Sequence, residues 1–305
     1  MKKNKDEKKE RPYRSKSNME IIKKSCIRNW LVIGIILLFV GTNVMILGRT
    51  QNIQKKLDVL TTRQTIIVDN EGDGDYTSIS AAVKNATNGD SIEVYSGTYS
   101  EGNIIEITKQ ITLEGKATEY GTGTDTGLPI IKSSFAFKIF SNNVSITNFQ
   151  IDAIGDSTGD GIEIGWINEP GVSNVEISNT TINGFSTGII VDTPTYIKLP
   201  RTTNVRLIQN NLINNKIGIE ILRIHNGMVE ITKNNFINNT RDTRIIGFIV
   251  PTLFTGSKTV YSANYWDSHK TTFPKIIVCS MYNPWLDFIR FPWFFFDKTP
   301  NAEPN

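Results

Sequence analysis

Between residues 144 and 236 the chain writes one phrase four times. Val144-x-Ile146, Val175-x-Ile177, Val205-x-Leu207 and Val229-x-Ile231 each set two apolar residues on one side of an extended segment, at separations of 31, 30 and 24 residues. Seven residues after each opening valine stands another apolar residue: Ile151, Ile182, Leu212 and Phe236. A second short strand led by glycine follows in three repeats, as "GIEIG" at 161–165, "GIIV" at 188–191 and "GIEIL" at 218–222. Repeats of this length mark stacked architectures, because so small a unit cannot bury its apolar face alone. Coils stacked ~4.8 Å apart do bury it, with inward residues forming the core and parallel hydrogen bonds joining coil to coil. Differences in repeat length then emerge as outward loops. The expected fold is all-β, a right-handed parallel β-helix over residues 65–267.

The corners are written in asparagine. "NNLINN" at 210–215 returns as "NNFINN" at 234–239. Asparagine tolerates the left-handed backbone of a sharp corner, and its amide bonds to nearby backbone or to the equivalent side chain one coil away. Both ends of such a stack need covering, since bare strand edges invite aggregation. "SISAAVKNA" is expected to form a short helix with Ile79, Ala82, Val83 and Ala86 on one side, over the first coil. In the C-terminal segment 268–305, Phe288, Phe291, Trp293 and Phe295 are bulky enough to cover the last coil. A membrane-facing aromatic patch is the alternative for that tail.

Charge is unevenly divided. Residues 1–29 hold 11 Lys/Arg and 4 Asp/Glu, a net of +7, and residues 49–305 hold 22 and 26, a net of −4. A basic tail suits nucleic acid in principle, but its neighbour points elsewhere. Residues 30–48, "WLVIGIILLFVGTNVMILG", carry no charge, and as a helix would span ~28 Å, close to a bilayer's hydrocarbon core. Basic residues such as Lys23, Lys24 and Arg28 precede the span, which places residues 1–29 in the cytoplasm and 49–305 outside. A cleaved signal peptide is the competing reading, though the run is long for one and no small-x-small site follows it. Residues 49–64 then form a short stalk in which Ile53, Leu57 and Leu60 share one helical side. Cys26 and Cys279 fall on opposite sides of the membrane and cannot pair within one chain. The expectation is a single-pass membrane protein with an extracytoplasmic domain and no nucleic-acid partner.

"IIVDNEGDGDYTSISAAVKNATNGDSIEVYSGTYSE" (66–101), followed by "ITLEGK" (111–116), resembles the opening segment of pectin-lyase-like β-helix proteins. The coils and the closing "ANYWD" (263–267) resemble NosD-like cell-surface β-helix proteins, including those of archaea, and "PWFFFDKTPNAEP" is similar to a tail found in the archaeal ones. The resemblance runs over residues 66–305 and implies the fold. It implies little about activity, because enzymes and non-enzymes share the opening segment. The pectinesterase-like QDTL and DFIFG segments and the polygalacturonase-like NTD, DD and GHG segments do not occur. "LPRTTNVR" offers Arg201 and Arg206 without the pectate-lyase-like surroundings. NosD-like proteins are associated with copper delivery, yet His225, His269, Cys279, Met228 and Met281 stand at no recognised ligand spacing.

The richest candidate chemistry is "IDAIGDSTGDGIEIG", which supplies Asp152, Asp156, Asp160 and Glu163 in or beside an outward loop. Carboxylates so grouped serve as acid and base in sugar hydrolysis or as Ca²⁺ ligands, and solvated turn chemistry is the plainer account of the same composition. "DNEGDGD" (69–75) alternates Asp69, Glu71 and Asp73 with Gly74 in sixth place, but Ser80 stands where an EF-hand needs a bidentate glutamate, so the run reads as a turn and no metal or cofactor is expected. Sequons at Asn85, Asn143, Asn179 and Asn238 are glycosylation candidates. Together these features favour an anchored β-helix that binds carbohydrate or envelope components without catalysis. A polysaccharide-acting lyase or hydrolase, and a structural or adhesin-like protein, are the alternatives.

Overall fold

Three short strands turn each coil, and their registers decide which side chains stack. The computed structural model describes residues 63–155, 158–194, 199–224, 228–248, 258–269, 273–282 and 290–305. The basic tail, the apolar span and all of the stalk before Arg63 lie outside them. Among the described residues no helix is long and apolar enough to cross a membrane.

On the first face β1 (Thr65–Val68), β2 (Ser91–Val94), β5 (Thr112–Gly115), β8 (Val144–Thr147), β11 (Ser173–Ser178), β14 (Thr203–Ile208), β17 (Met228–Thr232) and β20 (Lys258–Ser262) pair in that order. The second face runs β3 (Thr98–Ser100), β6 (Ile130–Ser133), β9 (Gln150–Ala153), β12 (Thr181–Asn183), β15 (Asn211–Ile213), β18 (Asn235–Ile237) and β21 (Tyr265–Trp266). The third runs β4 (Ile105–Ile107), β7 (Phe137–Ile139), β10 (Asp160–Ile164), β13 (Thr187–Val191), β16 (Ile217–Ile224) and β19 (Arg241–Phe248). Neighbours on each face are parallel, as a β-helix requires.

The alignment read from the sequence is the observed register. Val144 pairs with Val175, Val175 with Val205, and Val205 with Val229. Ile151, Ile182, Leu212 and Phe236 stack likewise on the second face. The glycine-led strands make the third face, with Ile162 against Ile189 against Ile219. All of these residues are buried in one continuous core. Truncating one of them, such as Ile177 between Ile146 and Leu207, removes contacts on both sides and costs ~2–5 kcal/mol.

The asparagines divide their work in a way the repeat alone does not reveal. Asn143, Asn148, Asn174, Asn179, Asn204, Asn214 and Asn238 take positive φ at corners, as expected. Asn210, Asn234 and Asn264 do not, and the left-handed residue there is the one before each, Gln209, Lys233 or Ala263. Asn210, Asn234 and Asn264 are instead wholly buried and form a rail. Asn210 Nδ2 donates to Asn234 Oδ1 at 3.0 Å and Asn234 Nδ2 to Asn264 Oδ1 at 3.1 Å. The same Nδ2 groups satisfy the carbonyls of Ile177, Leu207 and Ile231. Buried corners thus keep their polar groups paired without water.

The helix α1 (Ile79–Asn85) covers the first coil with Ile79, Ala82 and Val83 buried. Ser78 caps it by accepting from Ala81 N, and the Glu101 carboxylate accepts from Ile79 N at 2.8 Å. At the other end, only part of the expected aromatic cover falls within the described residues. Phe288 lies outside the described residues, as do the side chains of Phe291 and Trp293, while Phe295 is half-buried against the core. A hairpin of β22 (Lys275–Tyr282) and β23 (Arg290–Asp297) pairs antiparallel within itself, and parallel to β19 and β20. It bridges the third face to the first. Asp297, fully buried, accepts from Asn264 Nδ2 at 2.9 Å and Trp266 Nε1 at 3.1 Å, ending the asparagine rail.

Candidate functional site

Glu163 occupies the outward position of β10, because Ile162 and Ile164 beside it point into the core. Parallel pairing carries that position across coils to Lys138 on β7 and Ile190 on β13, then to Glu220 on β16 and Arg244 on β19. Lys138 Nζ lies 3.3 Å from a Glu163 oxygen and 3.3 Å from the centre of the Trp166 ring. The cation therefore joins a carboxylate to an aromatic face. Arg244 Nε bonds the Glu220 carboxylate.

Gly165 makes the turn after β10 possible. Its φ is +79°, and a Cβ there would stand 2.6 Å from the Asp192 carbonyl. Asp192 follows β13 and is buried, with its carboxylate bound to Arg223. Arg223 sits at φ +58° where the β16–β19 register slips between Leu222 and Ile224. A bulge of this kind re-aims a side chain, and here it brings the guanidinium over Asp192, with Nε donating to the Thr193 carbonyl at 3.1 Å.

Lys138, Glu163, Trp166, Asp192 and Arg223, with Asp160, Ile104, Phe135 and Leu222, line a shallow half-open groove of about 340 Å³. Trp166 also walls a second depression of about 520 Å³ that holds Glu106, Phe140, Asn142 and Glu169. Burial pushes Glu163 up to about 7, against the pull of Lys138. Burial likewise raises Asp160, opposed by hydrogen bonds from Thr187, and Asp192, opposed by Arg223. The groove therefore offers a carboxyl that changes charge near neutrality, two paired cations and a flat indole. Such a set can donate and accept hydrogen bonds along a hydroxyl-rich chain.

No protein family's sequence profile matches this chain, and neither does any curated protein. Among solved structures it is similar to an alginate lyase from Paenibacillus sp. str. FPU-7, with 17% identity and a TM-score of 0.31 over 67% of this chain and 88% of that one. It is also similar to a pectin methylesterase from Aspergillus niger, with 15% identity and a TM-score of 0.40 over 73% and 84%. The β-helix itself rests on the strand order and registers of this chain.

Of the four carboxylates expected together, the structure joins Asp160 and Glu163 in the groove. Asp152 stands on β9 of the second face, accepting from Gln150 Nε2 at 2.7 Å and Asn183 Nδ2 at 3.2 Å, as part of a lateral ladder. Asp156 lies outside the described residues. Lys138, Trp166, Asp192 and Arg223 were not among the expected site residues. Aligning "FKI", "GIEI" and "GIEI" on their middle residues would have found the Lys138, Glu163 and Glu220 column. Arg206 is on the first face between Glu176 and Glu230, and Arg201 donates to the Pro194 carbonyl at 2.7 Å. The four sequon asparagines are exposed, though Asn143 and Asn238 hold lateral amide bonds to Asn174 and Asn214.

Proposed function

We propose that this is a membrane-anchored, extracytoplasmic β-helix protein that binds a carbohydrate chain along the outer side of its third face, without catalysis of its own. The observation that carries the reading is Trp166 standing between two adjoining depressions, beside the Lys138–Glu163 pair. A flat ring flanked by hydrogen-bonding groups in a shallow track suits an extended, hydroxyl-rich polymer better than a compact apolar ligand, which favours a deep enclosed pocket. Both groove cations, Lys138 and Arg223, are already matched to a carboxylate, an arrangement for holding rather than for reacting. The anchor rests on the charge-free run 30–48 behind a basic tail.

The test incubates the full-length chain in detergent with acidic and neutral polysaccharides, scoring retention and new chain ends together. Retention without new ends, lost in Trp166→Ala and kept in Arg206→Ala, is the expected result. A second reading has its own support: Glu163 is raised to about 7, where a general acid or base works best. New chain ends that vanish in Glu163→Gln would establish a lyase or hydrolase instead. Neither signal would leave a structural or adhesin-like role. Protease treatment of intact cells should spare the basic tail, and intact-mass analysis should show added hexose if the sequons are used.

A further inference from the structure

Asp69 ends the first strand and is completely buried. Its Oδ2 accepts the N–H groups of Gly72 and Asp73, each at 3.0 Å, which is the turn expected of "DNEGDGD". Its Oδ1 is buried as well and receives no hydrogen bond. Turn formation does not account for that second oxygen, and a buried carboxylate oxygen without a partner is destabilising. The loop between β5 and β6 supplies the rest of the arrangement. Oxygens of Asp69, Glu71 and Glu119 all lie within 4.8 Å of one another. That is the reach of two Ca²⁺–oxygen bonds of ~2.4 Å placed end to end.

Other bonds hold the group in place. Glu119 is oriented from its own loop by Tyr120 N at 2.8 Å and Asp125 N at 2.7 Å. Asp73 ties that loop to the turn by accepting from Thr122 N and Thr122 Oγ1 at 2.7 and 2.8 Å. Asn70 Oδ1, a second buried oxygen without a donor, stands next in the chain. Among the described residues neither lysine nor arginine pairs with Asp69, Glu71 or Glu119. A hard cation would supply the missing positive charge.

We infer that Asp69, Glu71 and Glu119 bind one Ca²⁺ ion that pins the β5–β6 loop to the turn after β1. The ligands come from two separate segments, so the absence of an EF-hand glutamate at Ser80 does not bear on it. An all-oxygen, irregular set fits Ca²⁺ better than Mg²⁺, which demands a near-octahedral shell.

The test strips the full-length chain in detergent with a chelator and titrates Ca²⁺ to ~10 mM, the range that spans sensor and extracellular sites, following bound ion and melting temperature. One equivalent should bind and raise the melting temperature. Glu71→Gln, an exposed change that leaves the core untouched, and Glu119→Gln should each weaken binding by roughly tenfold or more, since ligand charge sets affinity. Glu169→Gln should leave it unchanged. Failure of the unaltered chain to bind, or affinity unchanged from the unaltered chain in both the Glu71 and Glu119 variants, would overturn the site. Mg²⁺ binding as tightly would overturn the choice of ion.

Discussion

The first and third faces carry the same device at their outward positions, a ladder of opposite charges set one coil apart by parallel register. On the first face Arg206 reaches Glu176 at 2.7 Å and Glu230 at 3.4 Å, and the three side chains are 46%, 35% and 34% exposed. On the third, Lys138 and Glu163 are only 15% and 6% exposed. The ladder is a routine product of stacking, because parallel pairing places like positions side by side. Cover makes the difference. The Gly165 turn lays Trp166 beside the pair, and the β16 bulge sets Arg223 over Asp192. Where water is excluded, the same charges interact strongly and titrate abnormally.

The largest expected effect is that of Lys138→Met, which keeps the aliphatic stem and removes the charge. At pH 8 it should cost roughly 3–5 kcal/mol by breaking a buried pair, and about 1 kcal/mol less at pH 5, because Glu163 without its partner takes up a proton rather than keeping its charge. Denaturant titration at the two pH values measures this, and an equal loss at both would reduce Lys138 to a packing role. Next in size is the pH dependence of the unaltered chain. Glu163 moves from 4.5 to about 7 on folding, so the folded state holds a proton that the unfolded state releases. Its contribution is fully present below about pH 4.5 and lost as pH rises through about 7, on the order of 3 kcal/mol in all. Glu163→Gln should flatten that slope.

Asn234→Ala, in the buried rail, should cost about 1–3 kcal/mol by stranding the Leu207 carbonyl and breaking the bond to Asn264. Smallest of all, Arg206→Ala should change stability by about 1 kcal/mol or less and become silent in high salt. A large Arg206 effect would erase the contrast between the faces.

The fold was legible because its signal is local and repeated. The Val-x-Ile triplets and the glycine-led strands each announce a strand, and their spacing is the register. The groove was only half legible. Asp160 and Glu163 stood out as acidic residues near one loop, but Asp192 and Arg223 reach them from later coils, and a bulge is needed to aim Arg223. Trp166 carried no motif at all. Asp152 misled for a related reason: nearness in sequence to Asp160 hides a corner between them, and the corner sends it to another face. The carboxylates around Asp69 were read as a turn since Glu119 arrives from a separate loop.

The buried asparagine rail has a direction. Each amide takes a hydrogen from the coil before it and hands one of its own to the coil after it, from Asn210 to Asn234 to Asn264. Asp297 receives from Asn264 through an oxygen, and a carboxylate has no hydrogen to pass on. The rail behaves as a sentence with a full stop. Lengthening this protein by one more repeat would therefore call for asparagine in place of Asp297 as well as a new set of apolar triplets.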